Sequence, residues 1–424
     1  MILAPLTRGG NLPFRRLCND FGCKVSYSEM IYARSLNKGD AVEQARLRSS
    51  PNESLYVVQF ATNQINEGVK AIKEAKQMGA HAVDLNCGCP IYEVTRRGLG
   101  SSLLRSPKKL YKLVEGLVQQ SDLPITVKIR LGCEADSINC LDNVKAAREA
   151  GASAITIHGR TAQQGYSKNA DWDLIKQAVE ETRKDGYDIP IIGNGDILTY
   201  YEANRRMQES GVDSVMVGRG ALAKPWIFQE FEKQQTWTPT AQERVEVYKT
   251  LAEYMKDHFG NDDMGRKKSW NFLPWHFEFL SRYKAYPEHQ YSEDSIAQPL
   301  IQKRIIVPDD MDPIEILLAN RCSDAHDRIA SILWDADTHI DAYSKLCSYA
   351  ESDEFATILQ TGSGNPEEDK VLANLPKGKA GKWEKRRGRK PGPKRSEEEI
   401  AQIRAERAAK KARILAEGGV WPPP

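Results

Sequence analysis

His81-Ala-Val-Asp-Leu-Asn-Cys-Gly-Cys-Pro90 decides how the chain is read. His81 to Leu85 spells a buried β-strand, and Gly88 and Pro90 cannot extend it comfortably, so the backbone turns where the strand ends. Cys89 lies on that turn, presented rather than packed. Gly98 and Gly100 follow closely and give a loop able to fold over whatever lies above the strand end.

Outward from this stretch the same unit recurs. Met1 to Thr7, Lys24 to Glu29, Leu55 to Phe60, Ile125 to Ile129, Ala152 to Ile157, Pro190 to Ile192 and Ser214 to Val217 read as further strands. Helical spacing runs between most of them: Asn11 to Phe21, Ile65 to Met78, Lys108 to Gln119, Asp142 to Ala150, Asp171 to Glu180 and Tyr200 to Glu209. Eight such units in roughly 230 residues predict a (β/α)8 TIM barrel, a fold of about 250 residues, over 1–238. An open doubly wound sheet is the rival. Closure is favoured because Gln59, Asn86, Lys128, His158, Asn194 and Arg219 all fall at C-terminal strand ends, the face where barrels build their sites.

Beyond the barrel, strands give way to helical periodicity, and 239–350 reads as a helical-bundle domain. Ala241 to Phe259, Lys267 to Tyr283, Pro313 to Asn320 and a run from Ala325 to Leu346 are its expected helices, with Pro287 to Asp310 as loop. Trp270, Phe272, Trp275, Phe277 and Phe279 read as core, although such a stripe could also stack on bases. Residues 362–424 are rich in Gly, Pro, Lys and Glu and read as a disordered basic tail with a helix over 396–416. Residues 371–424 hold 15 Lys+Arg against 6 Asp+Glu, a net +9 that leaves −7 on the rest of a chain whose total is +2. The run Lys385 to Arg395 suits nuclear import, a minor-groove hook or phosphate binding.

Eight cysteines at irregular spacing, with no signal-peptide pattern and no transmembrane-length apolar run, predict a reducing, cytoplasmic setting, or a nuclear one if the basic run directs import. Cys87-x-Cys89 lacks the second pair a zinc site needs, and no metal is expected. Gly193-Asn-Gly-Asp196 and Gly218-Arg-Gly220 end the last two strands, where barrels bind phosphate groups. Lys128 is a charge within an apolar strand, so it needs either a ligand or a structural ion pair. His158 is either a mouth residue or a satisfied core histidine.

As a set, Leu3-Ala-Pro-Leu6, Asn11-Leu-Pro-Phe-Arg15, Val58-Gln59, Asn86-Cys-Gly-Cys-Pro90, Gly98-Leu-Gly100, Val127-Lys-Ile-Arg130, His158-Gly-Arg-Thr161, Tyr166, Gly193-Asn-Gly-Asp196 and Gly218-Arg219 resemble the flavin-dependent tRNA-dihydrouridine synthases. Cys89-Pro-Ile-Tyr-Glu-Val94 and Gly218-Arg-Gly-Ala-Leu-Ala-Lys-Pro-Trp226 resemble the eukaryotic branch acting on the variable-loop uridine, tRNA position 47. The resemblance implies FMN held by Pro5, Leu6, Thr7, Gln59, Lys128, His158, Asn194, Gly195, Asp196, Gly218 and Arg219, with NADPH or NADH as reductant. It implies Cys89 as proton donor to C5 of a flipped uracil, with Asn86 and Arg160 on the substrate. Expected partners are tRNA, with mRNA as a further candidate, and no membrane; the chain is expected to act as a monomer. That branch usually carries N-terminal zinc fingers; no such module is expected here, and the basic tail is expected to replace part of their RNA contact. A flavin barrel reducing a small pyrimidine such as orotate is the alternative, but it needs neither the tail nor the helices.

Overall fold

The computed structural model describes residues 1–166, 168–303 and 311–361. The strands are β1 (Ile2–Leu3), β2 (Val25–Tyr27), β3 (Ile31–Tyr32), β4 (Leu55–Ala61), β5 (Ala82–Cys87), β6 (Ile125–Arg130), β7 (Ala154–His158), β8 (Ile191–Asn194) and β9 (Ser214–Val217). All pair in parallel in the order β2-β1-β9-β8-β7-β6-β5-β4-β3, and a further pairing of β2 with β4 closes eight of them into a ring. The expected TIM barrel is therefore present. β3 is an extra strand outside the ring, hydrogen-bonded to the end of β4 through Ile31↔Phe60 and Tyr32↔Ala61.

Strand alternation sorts the side chains into two layers. Outward positions such as Leu3, Val58, Val83, Leu85, Val127, Ile129, Ile155 and Val215 join the large core under the helices. Inward positions Ile2, Ala4, Tyr27, Val57, Ala82, Ile192 and Met216 form a separate apolar plug inside the ring. One step further along the same inward rows the residues turn polar: Gln59, Asp84, Asn86, Thr126, Lys128, His158 and Asn194. The parallel register sets them side by side, with Gln59↔Asp84, Asp84↔Thr126, Asn86↔Lys128 and His158↔Asn194 as ladder partners. Residues far apart in sequence thus meet because each stands at the same height on its strand.

The helices begin where local chemistry satisfies their first amides. Asn11 caps Leu12–Asp20 through the Phe14 amide at 3.1 Å, and Thr199 with Glu202 and Thr240 with Glu243 form capping boxes on Tyr200–Ser210 and Ala241–Phe259. Two expected helices are broken. Lys267 to Tyr283 separates into Asp263–Ser269 and Leu273–Leu280, because Pro274 lacks an N–H and is accommodated only in the first turn of a new helix. The run from Ala325 to Leu346 separates into Ser323–Asp335 and His339–Ala350; Ala336 is extended, and its carbonyl accepts from Lys249 Nζ at 2.7 Å while Thr338 caps the second helix.

The segment expected as loop contains a helix, Glu288–Ala297, and a 3-10 turn, Leu300–Gln302. Polar contacts and the packing of Tyr291 beside Tyr286 and Leu300 hold this segment to the barrel. Arg205 donates to Ser295 Oγ at 2.7 Å, Tyr201 Oη to the Tyr286 carbonyl at 3.2 Å, and the Leu300 amide to Glu202 at 2.9 Å. Asp353–Thr361 adds a last helix. All described residues lie in one compact unit whose core is shared by barrel and helices. Among them, no helix is long and apolar enough to cross a membrane. The expected tail and its helix over 396–416 lie outside the described residues.

Candidate active site

Cys89 stands just past β5 on a turn built by one side chain. Asn86 Oδ1 accepts from the Gly88 amide at 3.1 Å and the Cys89 amide at 2.9 Å. Asn86 Nδ2 in turn donates to Gln59 Oε1 at 2.8 Å, Gln59 Nε2 to Asp84 Oδ2 at 2.7 Å, and Thr126 Oγ1 to Asp84 Oδ1 at 2.6 Å. From the other side Gly100, with φ 60°, is pressed under the turn: a Cβ there would lie 2.6 Å from the Cys89 carbonyl oxygen. Only glycine fits that approach. Burial pushes the Cys89 thiol above its ordinary value, opposed by the Ile91 backbone and Arg130, so the sulfur carries its proton at neutral pH. Cys87, on the outward face, is fully buried in the helix layer.

Lys128 projects from β6 into the mouth, where Asn194 Oδ1 accepts from its Nζ at 3.0 Å and Asn194 Nδ2 donates to the Met216 carbonyl at 2.7 Å. Among the described residues no carboxylate lies within ion-pair distance of the ammonium, and burial with the repulsion of Arg130, against the pull of Asp84, brings it down to about 8. The structural ion pair considered for it is not formed among the described residues. His158 is neutral: burial, then Arg130, Lys128, Arg160 and Arg219, hold it well below its usual value. Since Arg160 Nη1 can only donate, His158 Nε2 at 3.3 Å accepts and the ring proton sits on Nδ1.

The phosphate-side segments divide their work. Gly195, with φ 135°, passes so near Ala170 that a Cβ would come within 2.6 Å of its methyl. The Asp196 carboxylate cannot itself hold an anion; it accepts from Arg160 at 2.6 and 2.7 Å, from Arg219 at 2.8 Å, from the Ala170 amide at 2.7 Å and from Gln302 at 3.1 Å. Burial would raise it, but Arg160, Arg219 and the Ala170 amide outweigh burial and hold it below the ordinary range. Arg219 is fixed at one nitrogen and lies 4.0 Å over the Tyr166 ring, half-open to the mouth. Pro5 and Leu6 are half-buried on the loop after β1, Thr7 is exposed, and Leu6 packs on Gly218.

Arg160, expected on the substrate, is placed otherwise. It is 0 % exposed, and its guanidinium is taken up by Asp196, His158 and the Lys168 carbonyl at 2.6 and 2.9 Å. It braces the mouth from behind. Asn86 likewise has its oxygen committed to the Cys89 turn, leaving one N–H toward a base. A residue the sequence reading passed over is Arg130, which donates to the Gly88 carbonyl at 2.8 Å and the Thr161 carbonyl at 2.9 Å and so ties the Cys89 turn to the loop after β7. Its signal was there: Thr126, Lys128 and Arg130 alternate onto one face.

The mouth is thus cationic, with Lys128, Arg130, Arg160 and Arg219 against Asp84 and Asp196, and burial lowers Lys128, Arg130 and Arg219 alike. Such a site fits an anionic group. A family model described as dihydrouridine synthase (Dus) matches residues 2–296. The chain belongs to this family. Among curated dihydrouridine synthases, the tRNA-dihydrouridine(47) synthase [NAD(P)(+)] of Cryptococcus neoformans is 42% identical over 293 residues, covering 66% of this chain and 40% of the relative. The enzyme of the same name from Coprinopsis cinerea is 40% identical, covering 66% and 43%, and the human tRNA-dihydrouridine(47) synthase [NAD(P)(+)]-like protein is 37% identical, covering 67% and 43%. The chain spans less than half the length of these relatives.

Proposed function

We propose that this dihydrouridine synthase family member is an FMN-dependent, NAD(P)H-driven enzyme that reduces the C5–C6 bond of a tRNA uridine, the variable-loop position 47 being favoured by the relatives' names. The observation that carries this reading is Cys89: a thiol kept protonated, on a turn clamped from both sides, at the rim of a cationic barrel mouth. FMN fits the residues present. Lys128 and Arg219 would meet its negative charge, with Gln59, His158, Asn194, Gly195, Gly218 and the Pro5 to Thr7 loop around it, and Asp196 acting through Arg219. Bound there, FMN supplies the hydride chemistry.

The chain's own groups complete the reduction. The uracil gains a hydride at C6 and, at C5, the proton of the Cys89 thiol; the resulting thiolate lies near Arg130 and recovers its proton from solvent. The remaining Asn86 N–H suits a uracil edge. Neutral His158 offers a polar but uncharged wall. The target base has to leave its stack to reach this depth, and the basic tail supplies phosphate attraction.

The test is to incubate purified protein with NADPH and unmodified tRNA and to map dihydrouridine by mass spectrometry, with mRNA fragments and free pyrimidines as parallel substrates. Dihydrouridine at the variable loop is expected. Reduction of free orotate without reduction of tRNA would sink the proposal.

A further inference from the structure

We propose that Asp84 is a positioning residue that sets the Cys89 turn from the barrel interior, through a chain of side-chain amides that can be satisfied in only one direction. The chain runs from Thr126 and Asp84 through Gln59 and Asn86 to the Gly88 and Cys89 amides. Its two ends differ in kind. The Asp84 carboxylate, 0 % exposed, can only accept, and two backbone N–H groups can only donate.

Between them, Gln59 must turn its nitrogen to Asp84 and its oxygen to Asn86. Asn86 must then turn its nitrogen to Gln59 and its oxygen to the turn. Reversing either amide sets oxygen against oxygen or N–H against N–H inside the protein, where an unmatched polar group is costly. The charge inside the ring therefore decides which atom of Asn86 faces the turn, and so whether Cys89 is held where its proton is delivered. The role assigned to Asp84 rests on the reading of Cys89 as proton donor; the directional chain does not.

A charge swap separates the two. In Q59E, two carboxylates face each other and the chain is broken. In the double variant D84N/Q59E, Asn at 84 accepts from Thr126 and donates to Glu at 59, reversing that one contact, while the second oxygen of Glu at 59 accepts from Asn86, so Asn86 still turns its oxygen to the Gly88 and Cys89 amides. Hydrogen exchange of the Gly88 and Cys89 amides is followed in the full chain at mildly alkaline pH, where free carboxyls are charged. Exchange is expected about tenfold faster or more in Q59E and Q59L, and near wild type in the double variant.

Unchanged protection in Q59E, or a double variant no better than Q59E, overturns the proposal. If Q59E yields no folded protein, the double variant decides alone: folded with wild-type protection supports the chain, and unfolded overturns it. In the enzyme assay Q59E is expected to lower kcat with little change in KM for RNA. Rescued exchange in the double variant, with a wild-type protein that reduces no uridine, would leave the chain standing and remove the catalytic reading.

Discussion

Asp84 is raised to about 6 by burial, against the pull of Thr126, Gln59 and Lys128. Because the folded value lies above the unfolded one of 3.8, the native state holds more protons between these limits, and stability falls as pH rises through that window. About two pH units at ~1.4 kcal/mol each make the ionised form cost about 3 kcal/mol. Denaturant unfolding of D84N and wild type should therefore show the difference moving toward D84N by about that amount between pH 4 and pH 7. At Cys89, replacement by alanine should lower dihydrouridine formation roughly 100- to 10,000-fold, the usual worth of a placed proton donor. Lys128→Met should weaken FMN binding by roughly 10- to 100-fold, the loss of one charge-assisted bond, read by flavin fluorescence. Cys89 and Lys128 were legible in the sequence because each is a local anomaly, a thiol on a turn and a charge in an apolar strand. Arg160 was not. Its burial depends on Asp196 and on the Lys168 carbonyl, which come beside it only when the loops after β7 and β8 close together.

At the scale of elements, the site is a set of strand ends held by close backbone contacts. Gly100→Ala would put a methyl 2.6 Å from the Cys89 carbonyl in a backbone region that suits glycine, and should cost about 1–3 kcal/mol in a denaturant titration. Gly220 is constrained by space alone: a Cβ there would lie 2.3 Å from the Ile197 carbonyl oxygen, a close approach that holds the start of Arg219–Ala223 and with it Arg219. Every barrel strand was readable, since parallel strands buried on both faces are near-continuous apolar runs. The two helix breaks were not read, although Pro274 was visible, because a single apolar periodicity runs through both sides of each break. Glu288–Ala297 escaped for the opposite reason: it buries only Ser295 and is held by hydrogen bonds that periodicity does not register.

Over the whole molecule the C-terminal helices are bound to the barrel rather than tethered to it. Trp275 packs against Gly9 and lies 5.3 Å from Arg8, Arg8 Nε donates to the Asn271 carbonyl at 2.9 Å, and His276 stacks on Phe14 at 4.8 Å. From the helix Ala241–Phe259, Tyr254 donates to Asp20 and Asp257 accepts from Arg16, both on the helix Leu12–Asp20. A single cooperative unfolding transition is expected by circular dichroism and intrinsic fluorescence together, with no separate loss of the helices. The charge is less evenly shared. Since all 15 cations of residues 371–424 follow Pro376, deleting 376–424 leaves a chain near −7, and RNA binding should weaken and lose much of its salt dependence in a titration of ionic strength. The tail's charge was plain from composition; which of its three readings applies depends on a partner.

The raised thiol of Cys89 has one more consequence. Oxidation to sulfenic acid and disulfide exchange both begin from a thiolate, and burial holds Cys89 and its neighbour Cys87 alike in the protonated form. Cys87 is in addition shut into the helix layer on the outward face of β5. Here neither is a nucleophile at rest, so the arrangement that suits proton delivery also gives the centre chemical durability.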